Sequence, residues 1–189
     1  MLLPIVAYGH PVLRKHAEEI DANYPDLDKF ISDLTETMYQ SDGVGLAAPQ
    51  VNKSIRVFVI DCDVFKDKYK EAKGVKKIFI NPEILEESGE PWYYNEGCLS
   101  VPKIHEDVLR KGIVKIRYFD ENWVEHTEEF YGIVARVIQH EYDHLEGRVF
   151  VDHLSPMKKL LLKGKLTDIS KGKVDVDYKM IFPNKTNKR

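Results

Sequence analysis

The chain has 189 residues, 43% hydrophobic and 31% charged, and carries a formal net charge of -3. That size and balance suit one globular domain with its own core and exclude a disordered chain, while apolar segments this short exclude membrane-spanning helices. The start, Met1-Leu2-Leu3-Pro4-Ile5-Val6, lacks basic residues and is broken by Pro4, so no signal peptide is expected and the expected compartment is the cytoplasm.

In a reducing compartment the two cysteines, Cys62 and Cys98, are expected as free thiols, with metal binding or catalysis ahead of a bridge. In chain order, the first pattern is Leu27, Phe30, Ile31, Leu34 and Met38, whose spacing predicts an amphipathic helix over 26–39. Ser41-Asp42-Gly43-Val44-Gly45 stops it. Arg56-Val57-Phe58-Val59-Ile60 and Lys77-Ile78-Phe79-Ile80 are β-rich runs of strand length joined by a loop over 61–76. Val114, Ile116 and Tyr118 alternate with their neighbours up to the turn Asp120-Glu121-Asn122, which predicts a hairpin.

From Gly132 to Glu146 the apolar period becomes helical, and Gly147 is placed to end that helix. Ser155-Pro156 supplies an N-cap and a first-turn proline for a short helix ending near Gly164, and alternation at Val174, Val176 and Tyr178 predicts a late strand. Few helices among short strands, without regular βαβ alternation, indicate an α+β fold: mostly antiparallel strands packed around the central helix of 132–146.

Charge is unevenly spread. Residues 1–157 hold 18 basic and 28 acidic side chains, whereas 158–189 hold 10 basic and 3 acidic ones. The expected organisation is therefore one domain over 1–189 whose residues 155–189 form a basic helix-plus-strand extension, either solvated surface or a polyanion-binding tail.

His140-Glu141-Tyr142-Asp143-His144 reads H-E-x-x-H within the predicted central helix. Four residues along a helix advance about 6 Å and turn about 40° past a full revolution, so both imidazoles leave one face and can share an ion. Glu141 stands beside them, in reach of a water on that ion. A catalytic site of this kind needs a third protein ligand and an open position. Glu96-Gly97-Cys98-Leu99-Ser100 offers a thiol, and Cys62, His105, His126, His153 and several carboxylates are alternatives. In Gly43-Val44-Gly45-Leu46-Ala47-Ala48-Pro49-Gln50 the glycines permit close backbone approach, and Gln50 can aim an amide N–H at a developing oxyanion. Ile133 and Val137 precede His140 on the same helical face, and with Val44 they are candidates for an apolar slot. Asp143, Glu146 and Asp152 are candidate partners for the ligand histidines, and Arg110 a candidate ion-pair partner for Glu96. His10, His16, His105, His126 and His153 lack a spacing partner and are expected at the surface or hydrogen-bonded.

Taken in order, G-V-G-L-A-A-P-Q at 43–50, E-G-C-L-S at 96–100 and Q-H-E-Y-D-H-L at 139–145 resemble the three motifs of peptide deformylase, with similarity from Pro11 to about Leu154. The resemblance implies removal of the formyl group from the initiator methionine of nascent polypeptides, with Cys98, His140 and His144 holding the metal. It further implies Glu141 as general acid and base, Gln50 and the Leu99 N–H as oxyanion donors, and Gly45 as a peptide-backbone contact. The implied cofactor is one divalent ion, iron(II) in cells, with zinc, nickel or cobalt compatible with the same donors. The implied partner is an N-formylmethionyl nascent peptide, handled by a monomer without membrane attachment. Lys158, Lys159, Lys163 and Lys165 suggest ribosome contact through the basic extension.

Overall fold

The computed structural model describes residues 1–183, so positions 184–189 of the basic extension lie outside the described residues. The order of elements is β1 (Ile5–Val6), α1 (Leu27–Gln40), β2 (Gly45–Ala47), β3 (Val57–Asp61), β4 (Lys76–Ser88), β5 (Trp92–Cys98), β6 (Val101–Arg110), β7 (Ile113–Phe119), β8 (Glu125–Tyr131), α2 (Gly132–Leu145), α3 (Pro156–Ser170) and β9 (Met180–Ile181). Strands β2-β3-β4-β7-β8 form an antiparallel sheet, β5 and β6 pair as a separate antiparallel hairpin, and β9 lies parallel to β1. The α+β expectation is met, and no helix among the described residues is long and apolar enough to cross a membrane.

The continuous apolar run of β3 follows from helices on both faces of its sheet. Phe58 and Ile60 pack with Phe79, Ile116 and the α2 residues Ile133, Val134 and Ile138, while Val57 and Val59 pack with Ile80 and the α1 stripe Leu27, Ile31, Leu34 and Met38. Successive strand residues point to opposite faces, so a strand between two layers must be apolar throughout. Each fully buried stripe residue contributes roughly 1.5–3 kcal/mol relative to an exposed position.

Helix α2 is fixed at both ends by groups remote in sequence. Tyr131 at its N-cap makes no side-chain cap bond, and the carboxylate of Glu71, from the 61–76 connection, accepts instead from the Ile133 N–H at 3.2 Å. A negative group there also suits the helix dipole. At the other end Gly147 has φ 71°, with Arg148 N–H donating to Asp143 O at 2.8 Å and Gly147 N–H to His144 O at 3.4 Å. This left-handed glycine cap ends the helix where the sequence predicts it.

The connection over 61–76 is the loop expected, with short 3-10 turns at Asp63–Phe65 and Lys70–Ala72. Two expectations are corrected. Helix α3 does not stop near Gly164 but runs to Ser170, because Leu162, Leu166 and Ile169 are buried along it; an interior glycine costs only about 1 kcal/mol. The stretch Val174–Tyr178 is not a strand: pairing occurs at Met180–Ile181 against Ile5–Val6, and Tyr178 instead reaches the Leu99 carbonyl between β5 and β6.

The β5–β6 hairpin was not visible as alternation in the sequence. Inward positions of β5 are Trp92, Tyr94, Glu96 and Cys98, and Arg110 is buried on β6, so charged side chains occupy places where apolar ones mark a strand. Its tight turn is Leu99-Ser100, with Cys98 opposite Val101.

Candidate metal centre

Period-2 alternation places Glu96 and Cys98 on the same face of β5, and helical spacing places His140 and His144 on the same face of α2. The two faces meet. Cys98 Sγ, a His140 ring nitrogen and a His144 ring nitrogen all lie within 4.8 Å of one another. Typical bonds of about 2.3 Å to sulfur and about 2.1 Å to nitrogen set tetrahedral donors about 3.6 Å apart. Cys98 Sγ stands 3.4 Å from His144 Nε2, so this donor set fits a single small cation.

The electrostatics suit ligation. Burial pushes the Cys98 thiol up, but the imidazoles of His144 and His140 outweigh it and bring it down to about 5, leaving a thiolate at neutral pH. His140 donates from Nδ1 to Glu96 Oε2 at 2.8 Å, because a carboxylate can only accept; burial favours the neutral ring, but Cys98 and Glu96 outweigh it and raise the pKa well above the ordinary 6.5, so Nε2 gives up a proton when it takes an ion. Burial of Glu141 raises its carboxyl to about 7 against the lowering effect of the nearby imidazoles, and its Oε2 is a buried atom without a hydrogen-bond partner. An acid so placed can hold or release a proton near neutrality.

Glu96 is the hub that holds the centre. Only 4% exposed, it accepts from Arg110 Nε at 2.7 Å and Nη2 at 3.0 Å, and from Arg136 Nη1 at 2.9 Å, besides His140. Arg110 reaches on to Asp143 at 2.8 Å, which also bonds His153 Nε2 at 2.7 Å. The Glu96–Arg110 pair is as the sequence suggests. The expected histidine partners are not: Asp143 serves Arg110 and His153, Glu146 pairs with Arg56 at 2.8 Å, and Asp152 with Arg14 at 2.5 Å. Arg136 was missed, although a charged residue one turn before His140 on an otherwise apolar face is a signal that it has a buried partner.

Gln50 is 2% exposed, and its orientation is set by the Ala47 N–H, which donates to Oε1 at 2.9 Å and so turns Nε2 toward Cys98 Sγ at 3.5 Å and Ser100 Oγ at 3.4 Å. Gly45 lies against Glu141: a Cβ there would stand 2.5 Å from Glu141 Oε1, so any side chain would displace the acid. A cleft of about 550 Å³ opens over the centre, and Val44, Gly45, Leu99, Ile133 and Val137 all line it. His105, an alternative ligand in the sequence, lines the wall rather than joining the donor set, and the segment Asp175–Tyr178, which sequence reasoning did not place here, also lines it. Cys62, an alternative ligand in the sequence, is not part of the donor set: it is fully buried with its thiol pushed up to about 12 by desolvation, a packed small residue.

The polypeptide deformylase family model matches residues 2–160. Among relatives, the peptide deformylase of Cytophaga hutchinsonii is 57% identical over 98% of this chain and 100% of its own length, and that of Christiangramia forsetii is 53% identical over 97% of both chains. The crystal structure of the Thermotoga maritima enzyme, 41% identical, superposes with a TM-score of 0.74 over 82% of this chain and 99% of that one. With sequence and fold matched along nearly their whole lengths, the chain belongs to the peptide deformylase family and is a hydrolase.

Proposed function

We propose that this enzyme removes the formyl group from the initiator methionine of nascent polypeptides by metal-dependent hydrolysis, with Cys98, His140 and His144 as ligands and Glu141 as general acid and base. The observation that carries this reading is the convergence of one thiolate and two imidazoles within 4.8 Å, beside a carboxyl raised to about 7. When bound, a divalent ion supplies Lewis acidity and lowers the pKa of an attacking water to about 7. Iron(II) is the proposed ion in cells, with zinc, nickel or cobalt acceptable to the same donors, and thiolate oxidation makes oxygen the hazard.

The chain's own groups do the rest. Glu141 takes the proton of the attacking water and delivers it to the departing amine, so formate leaves and a free N-terminus results. Gln50 Nε2 and the Leu99 N–H donate to the oxygen of the formyl group as charge develops there. Ile133, Val137 and Val44 receive the methionine side chain, and Gly45 admits the peptide backbone while leaving room for Glu141.

The test is formate release from a formyl-Met peptide by anaerobically prepared, iron-loaded protein. Turnover in the native sequence and its loss in Glu141→Ala support the reading, and equal rates in the two refute it. The basic helix α3 is the proposed ribosome contact. Lys158 is tied to Glu106 at 2.7 Å, so Lys159, Lys163 and Lys165 are left to meet phosphates. Reversing those three charges should weaken ribosome binding at low salt without changing turnover of a free peptide, and unchanged binding refutes the contact.

A further inference from the structure

The turn Leu99-Ser100 is clamped from both ends of the chain. The Tyr178 hydroxyl donates to Leu99 O at 2.8 Å, and the Tyr8 N–H donates to Ser100 O at 2.7 Å. Tyr178 itself is held by the β1–β9 pairing, in which Ile5 N–H bonds Lys179 O at 2.9 Å and Ala7 N–H bonds Ile181 O at 2.8 Å. The ring is half-buried against the core cluster that includes Ile5 and Leu46, and Tyr178 lines the cleft.

We propose that Tyr178 is a positioning residue: by holding the Leu99 carbonyl it sets the turn whose Leu99 N–H points at the reacting formyl oxygen. The idea rests on the oxyanion role assigned to Leu99 above. The Cys98–Val101 pair fixes the base of the turn, and the Tyr178 bond fixes the peptide plane that follows Leu99. Between these two restraints Leu99 has little torsional freedom, and the direction of its N–H follows. Without the hydroxyl, the turn regains that freedom and the donor must be re-aligned at each turnover. Because a preorganised donor acts on the transition state more than on bound substrate, the loss belongs in kcat.

This role explains why a tail segment without regular structure is attached so firmly at Met180–Ile181. The attachment delivers one hydroxyl to a turn 79 residues earlier in the chain.

The experiment compares Tyr178→Phe, Tyr178→Ala and Gln50→Ala with the native metal-loaded enzyme, measuring kcat and KM on a formyl-Met peptide, metal content and Tm. Tyr178→Phe keeps the ring, so kcat should fall on the order of 10-fold with KM, metal content and Tm nearly unchanged. Tyr178→Ala should lose the same kcat and also Tm, since it removes the packing. If Gln50→Ala is impaired but Tyr178→Phe keeps native kcat, or loses Tm and metal together with activity, the positioning role is overturned while the oxyanion reading stands. If Gln50→Ala and Tyr178→Phe both run at native rate, the oxyanion reading and the positioning role fall together.

Discussion

Glu96→Gln isolates the hub of the proposed metal centre with almost no change of shape. The carboxylate accepts from Arg110 and Arg136 through Oε1, and from Arg110 and His140 through Oε2. A glutamine has one accepting oxygen, so whichever way its amide is turned, an NH2 group faces donors. Turned toward His140, it favours the tautomer with the proton on Nε2, the nitrogen that an ion needs. Loss of such a partner typically weakens metal binding 10–100-fold, or about 1.4–2.7 kcal/mol. It also leaves two buried guanidinium groups with one countercharge fewer, for which about 3 kcal/mol of folding stability is the expected cost. Metal affinity is measured by competition with a chelator, and stability by urea unfolding of the metal-free protein. Burial pushes the Glu96 carboxyl up, yet His140 and Arg110 outweigh it and hold it well below its ordinary 4.5. Its stabilisation is therefore complete above about pH 4.5 and is lost as pH falls through the lower folded value. The two proteins should differ fully at neutral pH and converge only in strong acid. A variant with native metal affinity and native stability at pH 7 would refute this account of the hub.

Gln50→Ala should lose about 10²-fold or more in turnover with metal content unchanged, because one oxyanion donor is worth about 2.7–4 kcal/mol; steady-state kinetics at native rate would remove that role. Val137→Trp should fill the slot and raise KM for formyl-Met peptides far more than it lowers metal content, whereas equal loss of both would indicate misfolding. Glu141, raised to about 7 by burial, binds a proton more tightly folded than unfolded, so its ionisation costs stability as pH rises from about 4.5 to about 7. Glu141→Gln should thus stabilise the metal-free protein at pH 8 relative to its effect at pH 4.5, and thermal unfolding curves with no such pH dependence would refute the unpaired buried carboxyl.

Much of this molecule was legible in its sequence because the relevant signals are local. The stripe Leu27 to Met38, the run Val57 to Ile60 and the period change after Gly132 each reflect which face of a single element is buried, and a helix alone is enough to put His140 and His144 side by side. The H-E-x-x-H spacing needs no tertiary information, and neither does the glycine that ends α2. What the tertiary structure decided is everything that depends on two distant segments meeting. The β5–β6 hairpin escaped notice because its inward positions carry Glu96 and Arg110, charges stabilised only by partners on other elements. For the same reason Glu96, rather than the nearby Asp143 or Glu146, turned out to orient His140. The tail offered a period of two at 174–178, but pairing went to Met180–Ile181, where the β1 backbone was available, and that choice carried Tyr178 to Leu99. Short-range order follows from the solvent preference of each side chain, whereas a buried charge or hydroxyl has no preferred place until its partner across the fold is in position.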